Sequence, residues 1–152
     1  MRILALDLAT ARPCSWALRW GNERWTCGET AMRDMHDFLR HMDIKETHVV
    51  CEGAYLGKNA KTYGDLCHVA GVIEGVALAL GFAIIPVVPP SEWKASILNF
   101  SGCKPKGRKD QKAAALKVAH LLGAKPKDDD QADAVCLAEY VWCRERQKAR
   151  AR

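Results

Sequence analysis

The chain has 152 residues, of which 49% are hydrophobic and 27% are charged, and its formal net charge is +5. This size and composition are typical of a single soluble domain that buries a real core, spanning 1–152. The longest apolar run, 75–88, is interrupted by Gly81 and Pro86, and Asp7 interrupts the first apolar run too early for a signal peptide. We therefore expect a cytoplasmic protein without a membrane partner.

The first half of the chain predicts three strands, a helix and a fourth strand. "RILALDL" (2–8) is apolar without alternation, as expected of a central strand that is buried on both faces. "CSWALRW" (14–20) and "ERWTCGE" (23–29) are separated by a Gly-Asn turn and predict a hairpin. "MRDMHDFLRHM" (32–42) has helical spacing, and "THVVCEG" (47–53) is a strand that ends in an acid.

The second half predicts mainly helices around one further strand. A helical period runs over 64–81 and stops at Gly81, a residue suited to a helix C-terminus. "FAIIPVV" (82–88) predicts a strand, and the remaining helices are predicted at 89–98, at 109–123 and from Asp128 onwards. Helices that alternate with strands in this way indicate a three-layer α/β domain with a mixed sheet.

The last helix opens with three consecutive aspartates, 128–130, and a fourth acid follows at Asp133. A simple explanation is that Asp128 or Asp129 caps the helix while its neighbours are solvated, because acids are favoured in a first helical turn. Asp130 and Asp133 are three residues apart, however, so both carboxylates project from the same helical face. A cap accounts for one acid and leaves this pair unexplained.

Two more acids, Asp7 and Glu52, end otherwise apolar strands. Each could simply pair with a nearby base. Acids at the carboxyl ends of strands in an open α/β sheet nevertheless lie at the edge where ligands bind, and a buried carboxylate without compensation is costly. If all four acids converge, they need a compensating charge, and oxygen ligands suit Mg²⁺ or Mn²⁺. The pattern predicts a two-metal site formed by Asp7, Glu52, Asp130 and Asp133.

The positive charge is concentrated in two short segments. Segments 104–112 and 144–152 each carry five bases and one acid, so the rest of the chain is net negative. Such clusters are typical of proteins that bind polyanions. The second segment could equally be a frayed, solvated basic tail at the end of a helix.

Together these features resemble the RuvC Holliday-junction resolvases of the RNase H-like superfamily. The resemblance covers most of the chain and depends on the number, order and spacing of individually weak motifs. These motifs are "ILALDLAT…SWAL", "VVCEGAYLGKNAKT", "VVPPSEWKASI", "KGRKDQKAAALKVAHLLG" and "DQADAVCLAEY". The fold it implies is an RNase H-like three-layer α/β fold, with a central mixed five-stranded sheet flanked by helices. The short length and the divergence are more similar to a phage-type member.

The resemblance also implies roles for individual residues. Asp7, Glu52, Asp130 and Asp133 correspond to metal ligands, and Lys109 to a catalytic lysine. Residues expected to contact DNA are Tyr55, Lys58, Lys61, Lys94, Lys104, Lys106, Arg108 and Lys112. The implied activity is symmetric cleavage of four-way DNA junctions by a homodimer, in a bacterial cell or a phage-infected host. It requires Mg²⁺, two ions per site, with Mn²⁺ as a substitute and no organic cofactor, and yields 5′-phosphate and 3′-hydroxyl ends.

Three alternative functions remain open at this point. An RNA-processing nuclease of the YqgF type would share the fold and act on a different nucleic acid. A sugar-kinase or actin-like ATPase also opens with a strand-end acid, but it needs two such domains and glycine-rich phosphate loops that this chain lacks. A non-catalytic binder of branched DNA would not require a complete set of acids.

Overall fold

The computed structural model describes residues 1–21, 24–55, 59–101 and 105–151. Two of the expected DNA contacts, Lys58 and Lys104, lie outside the described residues.

The described strands form one mixed sheet in the order β3-β2-β1-β4-β5. The strands are β1 (Arg2–Asp7), β2 (Cys14–Trp20), β3 (Arg24–Thr30), β4 (Thr47–Cys51) and β5 (Ala83–Ile84). β1 lies at the centre, antiparallel to β2 and parallel to β4. The predicted hairpin is formed by β2 and β3. The five-stranded mixed sheet is therefore confirmed.

The predicted fifth strand is shorter than expected. Only Ala83–Ile84 pair with β4, because Pro86 lacks the N–H group that a sheet ladder requires. The chain returns to the sheet at Val88, which forms a single parallel bridge with Glu52. This bridge secures Glu52 at the end of β4.

Five α-helices flank the sheet within the described residues. They are α1 (Met35–Arg40), α2 (Ala60–Ala79), α3 (Pro90–Ile97), α4 (Gly107–Leu121) and α5 (Asp129–Arg150). α2 begins four residues earlier than predicted, since the Asn59 side chain caps it by accepting a hydrogen bond of 3.2 Å from the Thr62 N–H. Gly81 ends it with φ +91°, as predicted. None of the described helices combines the length and the apolar character needed to span a bilayer.

Successive side chains of β1 point to opposite faces of the sheet, and each face is covered by helices. Ile3 and Ala5 face the core under α3, α4 and α5, whereas Leu4 and Leu6 face the core under α1 and α2. All four side chains are fully buried. The sheet therefore has helices on both faces, which confirms the three-layer α/β architecture.

The basic segment near the end of the chain belongs to the last helix. α5 is helical through Arg150. Arg144 lies 3.5 Å from Glu92 of α3, and Lys148 lies 2.8 Å from Glu145 on the same helix. These ion pairs and the basic residues near the helix C-terminus favour a helical end.

Candidate active site

The same alternation places the two strand-end acids on one face of the sheet. Asp7 continues the series Ile3 and Ala5, which faces α5, and Glu52 continues from Val50, which packs in the same core. The pairing of Leu6 with Cys51 sets Asp7 beside Glu52 at the carboxyl ends of two neighbouring parallel strands. The predicted convergence of these acids follows from this register.

The first turn of α5 supplies the other two acids. Asp128 is the N-cap, and its carboxylate accepts a hydrogen bond of 2.9 Å from the Gln131 N–H. Capping therefore explains Asp128 and leaves Asp130 and Asp133 free for another role. Their side chains are only 16% and 15% exposed, so both are largely buried against the sheet.

The four acids line one cleft of about 890 Å³ between the sheet edge and α3, α4 and α5. Among its described lining residues, four are acids and four are bases. The acids are Asp7, Glu52, Asp130 and Asp133, and the bases are Arg12, Lys94, Arg108 and Lys112. The formal charges of acids and bases therefore cancel within the cleft.

The buried acids titrate far from their ordinary range. Burial, the largest cause, and the nearby Glu52 and Asp133 carboxylates together raise the pKa of Asp7 to about 8. Asp7 also shares a side-chain hydrogen bond with Glu52. Burial raises the pKa of Asp133 to about 6, although Lys94 opposes the shift. Burial at this point therefore disfavours the charged forms of Asp7 and Asp133.

The three acids in the first turns of α5 each form an ion pair with a base. Arg12 Nη1 contacts Asp130 Oδ2, and Lys112 Nζ contacts Asp129 and lies 3.9 Å from Asp130 Oδ1. Lys94 Nζ lies 3.5 Å from Asp133 Oδ2. Asp130 and Asp133 are therefore both paired with bases that line the cleft.

Within the described chain, no three His, Cys, Asp or Glu side chains are gathered at metal-binding spacing. The donor set nevertheless fits a hard divalent cation, because it consists of carboxylate oxygens and its buried members, Asp7 and Asp133, are destabilised in the charged form. Asp7, Glu52 and Asp133 are the residues whose charge such an ion would compensate, with Asp130 on the same helical face.

The expected DNA contacts fall into two groups. Tyr55, Lys94, Arg108 and Lys112 line the cleft, and Tyr55 is 76% exposed. Lys61, Lys106 and Lys109 are exposed outside it. On α4, Arg108, Gln111 and Lys112 line the cleft, whereas Lys109 does not.

The comparisons with known proteins identify the family. A family model described as "Lactococcus phage M3 protein" matches residues 16–143. The chain belongs to this family. The matched region contains Glu52, Asp130 and Asp133, while Asp7 precedes it. A phage family agrees with the phage-type relationship suggested by the sequence, and no curated protein is significantly similar in sequence.

Solved structures confirm the fold. The chain is similar to a Thermus thermophilus RuvC structure with a TM-score of 0.67 and 14% identity, covering 97% of both chains. It is also similar to T. thermophilus RuvC in complex with Holliday junction substrate, with a TM-score of 0.73 and 14% identity over 97% of this chain and 96% of the other. At this identity the likeness establishes the RNase H-like fold of RuvC.

Two residues of the site were missed in the sequence. Arg12 lies in the connection between β1 and β2 and contacts Asp130. Trp93 is fully buried, and its Nε1–H donates a hydrogen bond of 2.9 Å to Glu52 Oε1. In the sequence, Arg12 could have been found as a base five residues after a strand-end acid. Trp93 could have been found as a tryptophan next to Lys94 in a short polar helix.

Proposed function

We propose that this protein is a structure-specific DNA endonuclease that resolves four-way junctions by metal-dependent hydrolysis of phosphodiester bonds. The observation that carries the proposal is the meeting of two strand-end acids with the acid pair of α5 in one cleft of a RuvC-like fold. The related T. thermophilus RuvC has been solved with a Holliday junction substrate.

Mg²⁺ ions held by Asp7, Glu52, Asp130 and Asp133 would supply activation of the attacking water and stabilisation of the leaving 3′ oxygen. The chain itself positions these acids. Trp93 orients Glu52, and Lys94, which lies 5.0 Å from the Trp93 ring centre, stays beside Asp133. Mn²⁺ is expected to substitute for Mg²⁺, because both prefer oxygen ligands. The products would carry 5′-phosphate and 3′-hydroxyl ends.

The bases of the cleft would bind the DNA backbone. Lys94, Arg108 and Lys112 line the cleft beside the acids, so they are the bases placed to contact the scissile phosphate group and its neighbours. The exposed Tyr55 ring at the cleft would stack on an unpaired base at the junction centre. Lys61, Lys106 and Lys109, which lie outside the cleft, would contribute a diffuse attraction to the arms.

A homodimer would match the two-fold symmetry of a four-way junction. The outward face of α2 supports this assembly. Gly71 and Gly75 lie one turn apart there, and a Cβ atom added to either would meet no described atom within 4 Å. Val72 and Leu78 on the same side are 40% and 61% exposed. The glycines therefore do not serve packing against the protein's own sheet, and they would allow close approach of a second α2.

The decisive experiment compares cleavage of a four-way DNA junction, a linear duplex and an RNA hairpin, each with Mg²⁺ and with EDTA. We expect paired nicks in the junction with Mg²⁺ alone, and none from Asp7→Asn. The cut ends should be religated by DNA ligase, which requires 5′-phosphate and 3′-hydroxyl termini.

Two results would replace the proposal. Preferred cleavage of the RNA hairpin would indicate an RNA-processing nuclease of the YqgF type. Tight junction binding without cleavage in either Mg²⁺ or Mn²⁺ would indicate a non-catalytic protein that binds branched DNA.

A further inference from the structure

Arg12 belongs to none of the motifs that identify the acids, yet it lines the same cleft. It follows the strand-end Asp7 by five residues, and its guanidinium contacts the Asp130 carboxylate on α5. The Arg12 side chain is 55% exposed, whereas that of Asp130 is 16% exposed. Of the two side chains, Arg12 is therefore the more open to solvent, from which an ion or a DNA strand would approach.

Both oxygens of Asp130 lie near a cation. Arg12 Nη1 contacts Oδ2, and Lys112 Nζ lies 3.9 Å from Oδ1. A metal ion that used Asp130 as a ligand would have to compete with these bases for the same oxygens. Metal binding at this site is therefore an exchange of cations, and the displaced base needs a new anionic partner.

The two bases differ in what they would do after the exchange. Lys112 also contacts Asp129, so it keeps an acidic partner when Asp130 is taken. The ion pair of Arg12 among the described residues is with Asp130. A guanidinium fork fits carboxylate and phosphate oxygens equally well, which makes phosphate the natural second partner for Arg12.

We propose that Arg12 is an exchangeable counter-ion of Asp130, which holds this carboxylate before the metal binds and then turns to the scissile phosphate group. This inference rests on the proposed nuclease function and adds a residue to it. The acids and bases that line the cleft are equal in number, so metal loading would add positive charge to it. DNA would then be drawn into a cleft that is already competent to cut.

The test compares wild type, Arg12→Gln and Arg12→Lys, first without DNA. Mn²⁺ binding is titrated by electron paramagnetic resonance, and single-turnover junction cleavage is then measured at saturating Mn²⁺ and saturating enzyme. We expect Arg12→Gln to bind Mn²⁺ about two- to fivefold more tightly, as removal of a partly exposed ion pair allows. We expect the same variant to cut about tenfold or more slowly, because the phosphate loses a charged donor. Arg12→Lys should fall between the two proteins in both measurements.

A matched control is available at the other end of β1. Arg2 Nη1 lies 2.7 Å from Asp43 Oδ2, also in a partly exposed pair, and Arg2→Gln should change neither Mn²⁺ affinity nor cleavage. Equal Mn²⁺ affinity of Arg12→Gln and wild type, or weaker binding by the variant, would overturn the proposal. Tighter Mn²⁺ binding by Arg12→Gln with an unchanged cleavage rate would overturn the claim that Arg12 then contacts the scissile phosphate group.

The same measurements distinguish failure of the proposed nuclease function from failure of the Arg12 proposal. If wild type binds Mn²⁺, and Asp7→Asn does not, but no junction is cut, the proposed function fails while the titration still shows whether Arg12 competes with the metal. Absence of saturable Mn²⁺ binding by wild type would overturn both proposals.

Discussion

The indole N–H of Trp93 donates a hydrogen bond of 2.9 Å to Glu52 Oε1. Trp93 comes from α3 and is fully buried, while Glu52 comes from the end of β4 and opens onto the cleft. The bond directs one carboxylate oxygen into the protein and leaves the other on the side of Asp7. Trp93 is thus a positioning residue, because it sets the orientation of an acid that would itself bind metal.

Trp93→Phe should separate this positioning from packing. Phenylalanine fills most of the site but lacks the N–H group, so Glu52 loses its fixed orientation. We expect Mn²⁺ affinity to fall by about 10-fold or more, the size typical of lost outer-shell partners. Direct Mn²⁺ titration checks this, and thermal unfolding in EDTA measures the packing loss separately. Unchanged Mn²⁺ affinity in a folded Trp93→Phe protein would show that the bond has no positioning role.

Asp7→Asn should change how stability depends on pH. The fold raises the pKa of Asp7 from 3.8 to about 8, so between these values the native state keeps a proton that the unfolded chain has lost. The free energy of unfolding of metal-free wild type should therefore fall as pH rises through this window. Asp133, with a pKa raised to about 6, adds to the fall at its acidic end.

The Asp7→Asn variant lacks the contribution of the Asp7 carboxyl group to this pH dependence. Its Tm in EDTA should exceed that of wild type by about 5 °C or more near pH 8.5, and the difference should shrink near pH 4.5. Mg²⁺ should restore wild-type stability at the higher pH and leave the variant almost unchanged. Calorimetry across this range measures both effects, and parallel pH curves for the two proteins would refute the burial of a protonated Asp7.

Asp130→Asn and Asp128→Ala should have opposite effects. Asp128 caps α5, so its loss should cost about 1 kcal/mol of stability with little change in the cleavage rate. Asp130 has no capping bond to lose, and removal of its partly exposed ion pairs should cost at most about 1 kcal/mol. Its substitution should slow single-turnover cleavage on the order of 100-fold. Near wild-type cleavage by Asp130→Asn would show that Asp130 is one of several acids in the first turn of α5 and has no role in catalysis.

Lys109 and Lys112 offer a matched pair on one helix. The family resemblance gives the catalytic role to Lys109, but Lys112 is the lysine that lines the cleft. We expect Lys112→Gln to slow the chemical step at saturating enzyme, and Lys109→Gln to weaken binding and reduce the salt slope by at most about one unit. Single-turnover cleavage over a salt series distinguishes the effects. A slower chemical step in Lys109→Gln alone would return the catalytic role to Lys109.

Gly71→Leu should stabilise the monomer and weaken the dimer. Glycine in a helix interior costs about 0.5–1 kcal/mol, and the open space around Gly71 accepts a larger side chain. The same side chain would block close approach of two α2 helices. Sedimentation velocity should show a shift to monomer, and thermal unfolding should show a raised Tm. Ala113→Leu, at an exposed position of α4, should leave the oligomeric state unchanged. A dimer that persists in Gly71→Leu would place the interface elsewhere.

The sequence alone determined the layers of the fold and the acidic half of the site. Side-chain pattern is a local property, so it showed that β1 is buried on both faces and that Asp130 and Asp133 share a face of α5. The rule that parallel strands end at one edge then brought Asp7 and Glu52 together. The bounds of β5 and α2 were less predictable, because Pro86 and the Asn59 cap act through single hydrogen bonds.

Only the tertiary structure decided which groups surround those acids. Arg12 and Asp130 are 118 residues apart, and Trp93 and Glu52 are 41 apart, so neither contact leaves a periodic signal in the chain. The choice of Lys112 over Lys109 as the lysine in the cleft depends on how α4 is rotated against α5. The open surroundings of Gly71 depend on which face of α2 packs on the sheet. Ion pairs and rotations of this kind are set by packing between distant segments, which local patterns do not encode.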